Sequence, residues 1–569
     1  MDMTAPNNKQ NARRRIEAGL QARMQEAMRA VRAAVAAGGL SLVAALFVCL
    51  AVFGVTGAAT AGEVRVGAFE QAVAAEAAKD PALATFYREN AYKGIWTGRG
   101  GKDASRRRAF LAALGRAGDH GLPVGRYDPA RIKAALKAAR TPAQRGKLDV
   151  QLSRIFLQYA QDLQSGALEP RRIDPGIVRK PPRRDRLALL KGFVRHSPKA
   201  FLKALAPKSP EYQRLLKAKL QLEKRIAKGG WGAPVAAKAL KPGQSGPQVA
   251  ALARRLAAMG YLRRSNAQSY DAKLQKAVQL FQYEHGLPAT GVADKATIAE
   301  INRPASERLK QIIVAMERER WLNFPRGKRH IIVNITDFTA KIIDNGKVTF
   351  STRAVVGADK EDRRTPEFSD LMEFMIVNPT WNVPRSIAVK EYLPLLKRNP
   401  NAVRHLQLVD GRGRKVGRSG IDFSQFDENT FPFDLKQPPS RGNALGLVKF
   451  MFPNPYNIYL HDTPAKKLFR YNSRAYSHGC IRLQQPFDFA YALLKPQMKN
   501  PEDYFQKVLA TGRETQINLK QPVPVHLIYR TAFTTPKGRV HYRRDVYGRD
   551  AKIFRALQKA GVVIRGVRS

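Results

Sequence analysis

The sequence predicts a multidomain α+β protein. A helical first half and a small three-helix bundle precede a β-rich domain that carries an inserted, lid-like segment. Three observations carry this expectation. Apolar residues recur at helical spacing from about Ala68 to Leu240, a glycine-punctuated unit of about 60 residues follows, and beyond Leu309 the pattern turns to strand-like alternation. At 569 residues the chain also exceeds the roughly 250–300 at which a single core stops growing.

The first element is a basic stretch, residues 1–32, with Arg13, Arg14, Arg15, Arg23, Arg29 and Arg32. Residues 33–62 carry no charge and run through Leu40 to Phe53. About 20 apolar residues span a bilayer, and the positive flank keeps residues 1–32 cytoplasmic. Ala59-Thr60-Ala61 resembles a small-residue cleavage site. The segment is expected to be a signal peptide or a transmembrane anchor, which places everything after it outside the cytoplasm. If uncleaved, it ties the chain to the inner membrane.

Residues 68–240 read as a helical scaffold domain without chemistry of its own. Leu152, Phe156, Tyr159 and Leu163 make one apolar stripe, Phe110, Leu111 and Leu114 part of another, and Gly121, Pro123 and Gly125 mark a loop. Residues 241–302 form the next unit. One helix carries Val249, Leu252 and Leu256 and stops at Gly260-Tyr261-Leu262; a second carries Leu274, Ala277, Val278 and Phe281; Asp271 and Asp294 stand where helices start. His285, beside Gly286, reads as a surface or capping residue. The order Gly-Tyr-Leu, Ala-Val-x-x-Phe-Gln and Gly-Leu-x-x-Thr-Gly-Val-x-Asp closely resembles the peptidoglycan-binding module, which implies a three-helix bundle and peptidoglycan as partner.

Residues 309–550 are expected to form the β-rich domain. His330–Ile335 and Thr339–Asp344 alternate, and Asn345-Gly346 before Lys347–Phe350 is a strong short hairpin signal. Further strands are expected at Ser351–Val356, Glu373–Val377, Val448–Phe452 and Asn457–Leu460. Ser386–Leu396 looks helical and Gly411–Ser440 loop-rich, giving a lid-like insertion at about 385–440. Residues 551–569 read as a basic C-terminal tail.

The chemistry gathers in Ser477-His478-Gly479-Cys480-Ile481-Arg482-Leu483, preceded by Tyr459-Leu460-His461-Asp462-Thr463. Cys480 is one of two cysteines; the other, Cys49, lies in the apolar run. A thiol flanked by two histidines is a candidate nucleophile, with a neighbouring imidazolium favouring the thiolate. The alternative, a buried small hydrophobe, fits poorly with the polar Ser477, His478 and Arg482 around it. A zinc site of His461, Asp462, His478 and Cys480 lacks a second ligand pair such as His-Glu-x-x-His. The composition adds a bias: 99 Lys and Arg against 46 Asp and Glu give a formal +53. That charge favours a polyanionic partner such as a carboxylate-rich wall polymer. Nucleic acid is disfavoured, since no zinc-finger or RRM-like motif appears and the chain is exported.

His461 and Ser477 are separated by 15 residues. With Gln437-Pro438-Pro439, Asn443-Ala444-Leu445-Gly446 and Pro379-Thr380-Trp381-Asn382, this pattern resembles the L,D-transpeptidase catalytic domain. Over about residues 68–550 the whole arrangement resembles the large multidomain L,D-transpeptidases of Gram-negative bacteria. The resemblance implies a periplasmic, cofactor-free cysteine enzyme that acts on stem tetrapeptides, forms a thioester with loss of D-alanine and makes 3→3 cross-links. It implies Cys480 as nucleophile, His461 as base, His478 in support, and the N–H groups of Gly479 and Cys480 as oxyanion donors. It places Arg482, Ser477, Tyr459, Trp381 and Asn443 against substrate, and implies carbapenem-type β-lactams as inhibitors. In place of the Asn of other branches, Arg482 stands two residues after the cysteine. An L,D-carboxypeptidase on the same fold and a non-catalytic wall anchor are the rival readings.

Overall fold

Among the described residues, each expected domain has its own apolar core and a further core fills the lid. A computed structural model describes residues 67–263, 268–536 and 538–566. The basic N-terminus and the apolar segment 33–62 lie outside the described residues. From Ala68 onward the chain forms one compact unit.

In the helical region the long helix Pro142–Ser165 starts with a capping box, Thr141 with Gln144, and presents Leu152, Phe156, Tyr159 and Leu163 to the core. Its buried Asp149 accepts hydrogen bonds from the backbone N–H of Ile95, Trp96 and Thr97 and from the Tyr87 hydroxyl, at 2.8–2.9 Å. One carboxylate thereby satisfies donors of a loop that has no secondary structure to pair them. The three helices Pro247–Met259, Ala272–Glu284 and Lys295–Ile301 enclose the next core, with Asp271 and Asp294 capping the second and third. His285 caps the second helix but is not at the surface. It stacks on Phe281 at 3.8 Å and is buried against Arg308, because the helix Ala305–Trp321 covers it.

The β-rich domain contributes strands β1 (Arg329–Asn334), β2 (Thr339–Asp344), β3 (Lys347–Gly357), β4 (Ser369–Val377), β5 (Trp381–Asn382), β6 (Gln407–Val409), β7 (Lys415–Val416) and β8 (Asp434–Gln437). They continue as β9 (Val448–Met451), β10 (Leu460–His461), β11 (Ala475–Ser477), β12 (Ile481–Leu483), β13 (Thr515–Ile528), β14 (Ala532–Thr534) and β15 (Val540–Tyr542). Nine of them form one sheet in the order β11-β3-β12-β10-β9-β4-β13-β1-β2, and β2 also pairs with β3, so the sheet closes on itself. Closure removes most free edges. Phe489, Leu493 and Phe505, on the helices Pro486–Leu494 and Pro501–Ala510, complete its core. The β2–β3 turn places Asn345 and Gly346 at φ +50° and +79°, the left-handed pair that a tight hairpin requires.

The insertion is a small subdomain with its own sheet, β5-β8-β6-β7. It starts earlier than expected from sequence, because Trp381 and Asn382 pair with Gln437 and Lys436 and close its base. Its first helical stretch includes a π-helical turn, Ala388–Tyr392. Residues 551–566 are no loose tail. The helix Arg549–Lys559 buries Ile553, Phe554 and Leu557 against Ile177, Leu309 and Trp321, an amphipathic pattern hidden by the basic residues between them.

Candidate active site

Register builds the site. β10 and β12 run parallel, with Leu460 opposite Ile481 and His461 opposite Arg482, and the N–H of Ile481 donates to the Tyr459 carbonyl at 3.0 Å. Tyr459 therefore lies beside Cys480. Side chains alternate along strands, so Tyr459 and His461 share one face of β10, and Cys480 and Arg482 follow the same face of its neighbour. The two strands are brought together by a connection that carries β11, itself paired to β3. A separation of 15 residues in sequence thus becomes adjacency across one ladder.

The nucleophile sits on a turn. Gly479 has φ +112°, and a Cβ there would meet Ile458 Cδ1 at 3.1 Å, so glycine is required on both conformational and steric grounds. The Gly479 carbonyl accepts from Thr365 Oγ1 at 2.7 Å, and Thr365 Oγ1 accepts from the N–H of Gly357 at 2.8 Å. Ser477 closes the turn from within: its hydroxyl donates to the Cys480 carbonyl at 2.5 Å and accepts from the N–H of Gly479 at 3.2 Å.

These contacts correct several expectations. Ser477 is buried and holds the turn, so it does not face substrate. The N–H of Gly479 is already engaged by Ser477, whereas that of Cys480 has no partner among the described residues and is the freer oxyanion donor. Asn443 is buried, its amide within reach of the carbonyls of Pro379, Gln437 and Pro438 at 3.0–3.1 Å; it fastens the base of the lid. Trp381 is packed in the lid core near Tyr392. Tyr459 lies at the seam between lid core and sheet core, beside the thiol rather than in an open subsite. Asp462 is turned away from the thiol, bonded to Lys466 at 2.5 Å and to the N–H of Leu447 at 2.9 Å.

The electrostatics correct a further one. Burial pushes the Cys480 thiol up to about 11, against the pull of hydrogen bonds from Tyr459 and the charge of Arg482. Burial, aided by Arg482, pushes His461 down to about 3. Both shifts favour a neutral thiol with a neutral imidazole over a thiolate with an imidazolium. The thiol donates to the Asn457 carbonyl at 3.4 Å, and Asn457 is held at φ +51° by a turn that Asn454 clasps. His461 Nδ1 is buried without a well-formed hydrogen bond, while the backbone of Asp462 and Leu445 favours a proton on the ring. A neutral imidazole on the thiol's side of the ladder is the form that can accept its proton during attack.

This protonation state is open to direct measurement. With Cys49 replaced by serine, alkylation of Cys480 by iodoacetamide should be slow at pH 7. It should rise close to ten-fold per pH unit through pH 9, because only the thiolate reacts and its fraction grows towards a thiol value of about 11. A rate already on a plateau at pH 7 would show a thiolate at rest.

Three residues that no motif announced complete the site: Arg363, Thr365 and Glu391. His478 Nε2 lies 2.6 Å from Glu391 Oε1, and Arg363 Nη2 donates to the same oxygen at 2.5 Å. Arg482, half-buried, makes no ion pair among the described residues.

Three parts of the chain match known domain families. Residues 328–526 match the L,D-transpeptidase catalytic domain, residues 245–301 a peptidoglycan binding domain and residues 81–218 a scaffold domain. A Haemophilus influenzae protein named as a candidate L,D-transpeptidase is 33% identical over 242 residues, 42% of this chain and 48% of that protein. The chain thus spans about half the length of this relative. Among solved structures, an L,D-transpeptidase from Xylanimonas cellulosilytica is similar at 14% identity, over 52% of this chain and 100% of that one, with a TM-score of 0.15. A fused Zn-dependent amidase/peptidase/peptidoglycan-binding domain-containing protein from Clostridium acetobutylicum is similar at 12% identity, over 51% and 99%, with a TM-score of 0.14.

Proposed function

We propose, from the premise that this chain carries an L,D-transpeptidase catalytic domain with peptidoglycan-binding and scaffold domains, that it cross-links peptidoglycan stems outside the cytoplasm. The observation that supports this most is the β10–β12 register, which sets Cys480, His461 and Arg482 on one face of the ladder. Cys480 attacks the carbonyl that joins meso-diaminopimelate to the terminal D-alanine of a tetrapeptide. His461 accepts the thiol proton as the S–C bond forms, and the tetrahedral oxyanion is received by the N–H of Cys480, a donor of a kind worth about 2.7–4 kcal/mol. The proton passes from His461 to the departing D-alanine nitrogen as the C–N bond breaks, leaving a thioester. The side-chain amine of a second stem then displaces the sulfur, giving a 3→3 cross-link. Arg482, a cation without an ion pair among the described residues, is suited to a stem carboxylate. The formal charge of +53 favours a partner rich in free carboxylates.

The test is a product analysis. The exported chain incubated with purified disaccharide tetrapeptide should yield a dimer that has lost one D-alanine, its linkage read by tandem mass spectrometry. Tripeptide alone would make the protein an L,D-carboxypeptidase. Binding with no product would make it an anchor.

A further inference from the structure

We propose that Glu391, on the π-helical turn of the lid, selects the acyl acceptor, its free carboxylate oxygen receiving the primary ammonium of the incoming stem beside the Cys480 thioester. The inference rests on the acyl-enzyme reading above and deepens it. Glu391 is bonded on one oxygen only. Oε1 meets His478 Nε2 at 2.6 Å and Arg363 Nη2 at 2.5 Å, whereas Oε2 has no hydrogen bond among the described residues. A third of the side chain is exposed. Two donors on one oxygen fix the carboxylate, and the second oxygen stays open to a ligand.

Both partners belong to the nucleophile's surroundings. His478 stands two residues before Cys480. The Arg363 carbonyl lies 3.8 Å from where a side chain on Gly479 would begin, and Thr365, two residues on, holds the Gly479 carbonyl. Glu391 therefore joins the lid to the turn that presents the thiol. A π-helical turn widens the backbone and re-aims its side chains, and such turns are frequent at functional sites.

Charge gives the second line of argument. The chain is strongly basic, and Lys390 adjoins Glu391 in the same turn, yet this carboxylate is left half unsatisfied. On the other side of the thiol in sequence, Arg482 is a guanidinium without an ion pair among the described residues. Near the thiol in the chain, then, stand Arg482, without an ion pair among the described residues, and His478, which ties the half-bonded Glu391 to the turn. An acyl donor brings a carboxylate and an amine acceptor brings an ammonium, so Arg482 and Glu391 suit the two substrates. A plain lid latch would use Oε1 and leave Oε2 to solvent, whereas an incoming ammonium would take that solvent's place. In the transfer step the bound ammonium releases one proton to solvent through Oε2. Its lone pair then forms the C–N bond as the C–S bond breaks, and a second nitrogen proton reaches the departing sulfur by way of His461.

The experiment compares wild type with Glu391→Gln and Glu391→Asp, using the exported chain with disaccharide tetrapeptide as both donor and acceptor. Acyl-enzyme formation is followed by intact mass, and the ratio of dimer to hydrolysed tripeptide by chromatography. A charge-assisted contact of this kind is worth about 1.5–3 kcal/mol, so Glu391→Gln should lower the dimer-to-tripeptide ratio by about ten-fold or more. Glu391→Asp, which keeps the charge, should recover part of the ratio. A ratio unchanged in Glu391→Gln while the adduct still forms overturns the inference. So does a loss of dimer that only tracks slower acylation, which is the signature of a structural latch. No Cys480 adduct in the wild type would instead overturn the acyl-enzyme reading itself.

Discussion

Cys480→Ala is expected to fold normally and to lose cross-linking by a factor on the order of 10⁴ or more, because no other group in the site can form the acyl-enzyme. Stability should change little, since the half-buried thiol's contacts with Tyr459 and with the Asn457 carbonyl at 3.4 Å are weak sulfur hydrogen bonds. Cys480→Ser is the sharper variant. It keeps the volume and a donor for Asn457, and it replaces a thiol by an alcohol that His461 must deprotonate against a far higher pKa. Intact-mass analysis with a carbapenem should give one adduct on the wild type and none on either variant. An adduct that survives Cys480→Ala, or near-normal turnover in Cys480→Ser, removes the thiol from the mechanism.

His461→Ala should reduce the acylation rate by about 10²–10⁴-fold, the usual range for a positioned general base. His478→Gln should cost less, because its ring meets Glu391 in the lid rather than sharing the β10–β12 face with the thiol. The pH profile gives an independent check. With His461 held near 3 and the thiol near 11, wild-type acylation should be flat between about pH 5 and 9, the neutral pair being the dominant form throughout. Without the base, the variant must rely on the pre-formed thiolate, and its rate should climb about ten-fold per pH unit over the same range. A larger loss in His478→Gln by single-turnover kinetics would mean that the two imidazoles have exchanged roles.

The reach of the sequence can be judged from particular residues. Asn345-Gly346 announced the hairpin because φ > 0 at two successive positions is open to few side chains. The peptidoglycan-binding unit was legible because its markers are helix caps and core positions, which are local. The thiol and its two histidines were legible because they are close in sequence. Motif membership misled where a polar side chain is consumed by backbone: Ser477 by its own turn, Asn443 by the base of the lid. Trp381 was similarly taken up by a core that exists only once β5 and β8 pair. The neutral state of the thiol–imidazole pair depends on burial, which no spacing reveals. Glu391, Arg363 and Thr365 carry no local signature, since they reach the site through the lid and through the loop after β3.

The nucleophile's turn is also finished from far along the chain. Thr365, which holds the Gly479 carbonyl, has its own carbonyl held by Arg549 at 3.1 Å, and the Tyr547 hydroxyl secures Gly357 at 2.5 Å. Arg549 follows Cys480 by 69 residues (549 − 480). A chain emerging in order, from the ribosome or through a membrane, therefore delivers its thiol well before the brace that shapes the turn around it. The complete hydrogen-bonded frame of the turn therefore requires the chain as far as the helix beginning at Arg549. The shape of the turn at the sulfur is thus a property of the finished fold and not of the motif alone.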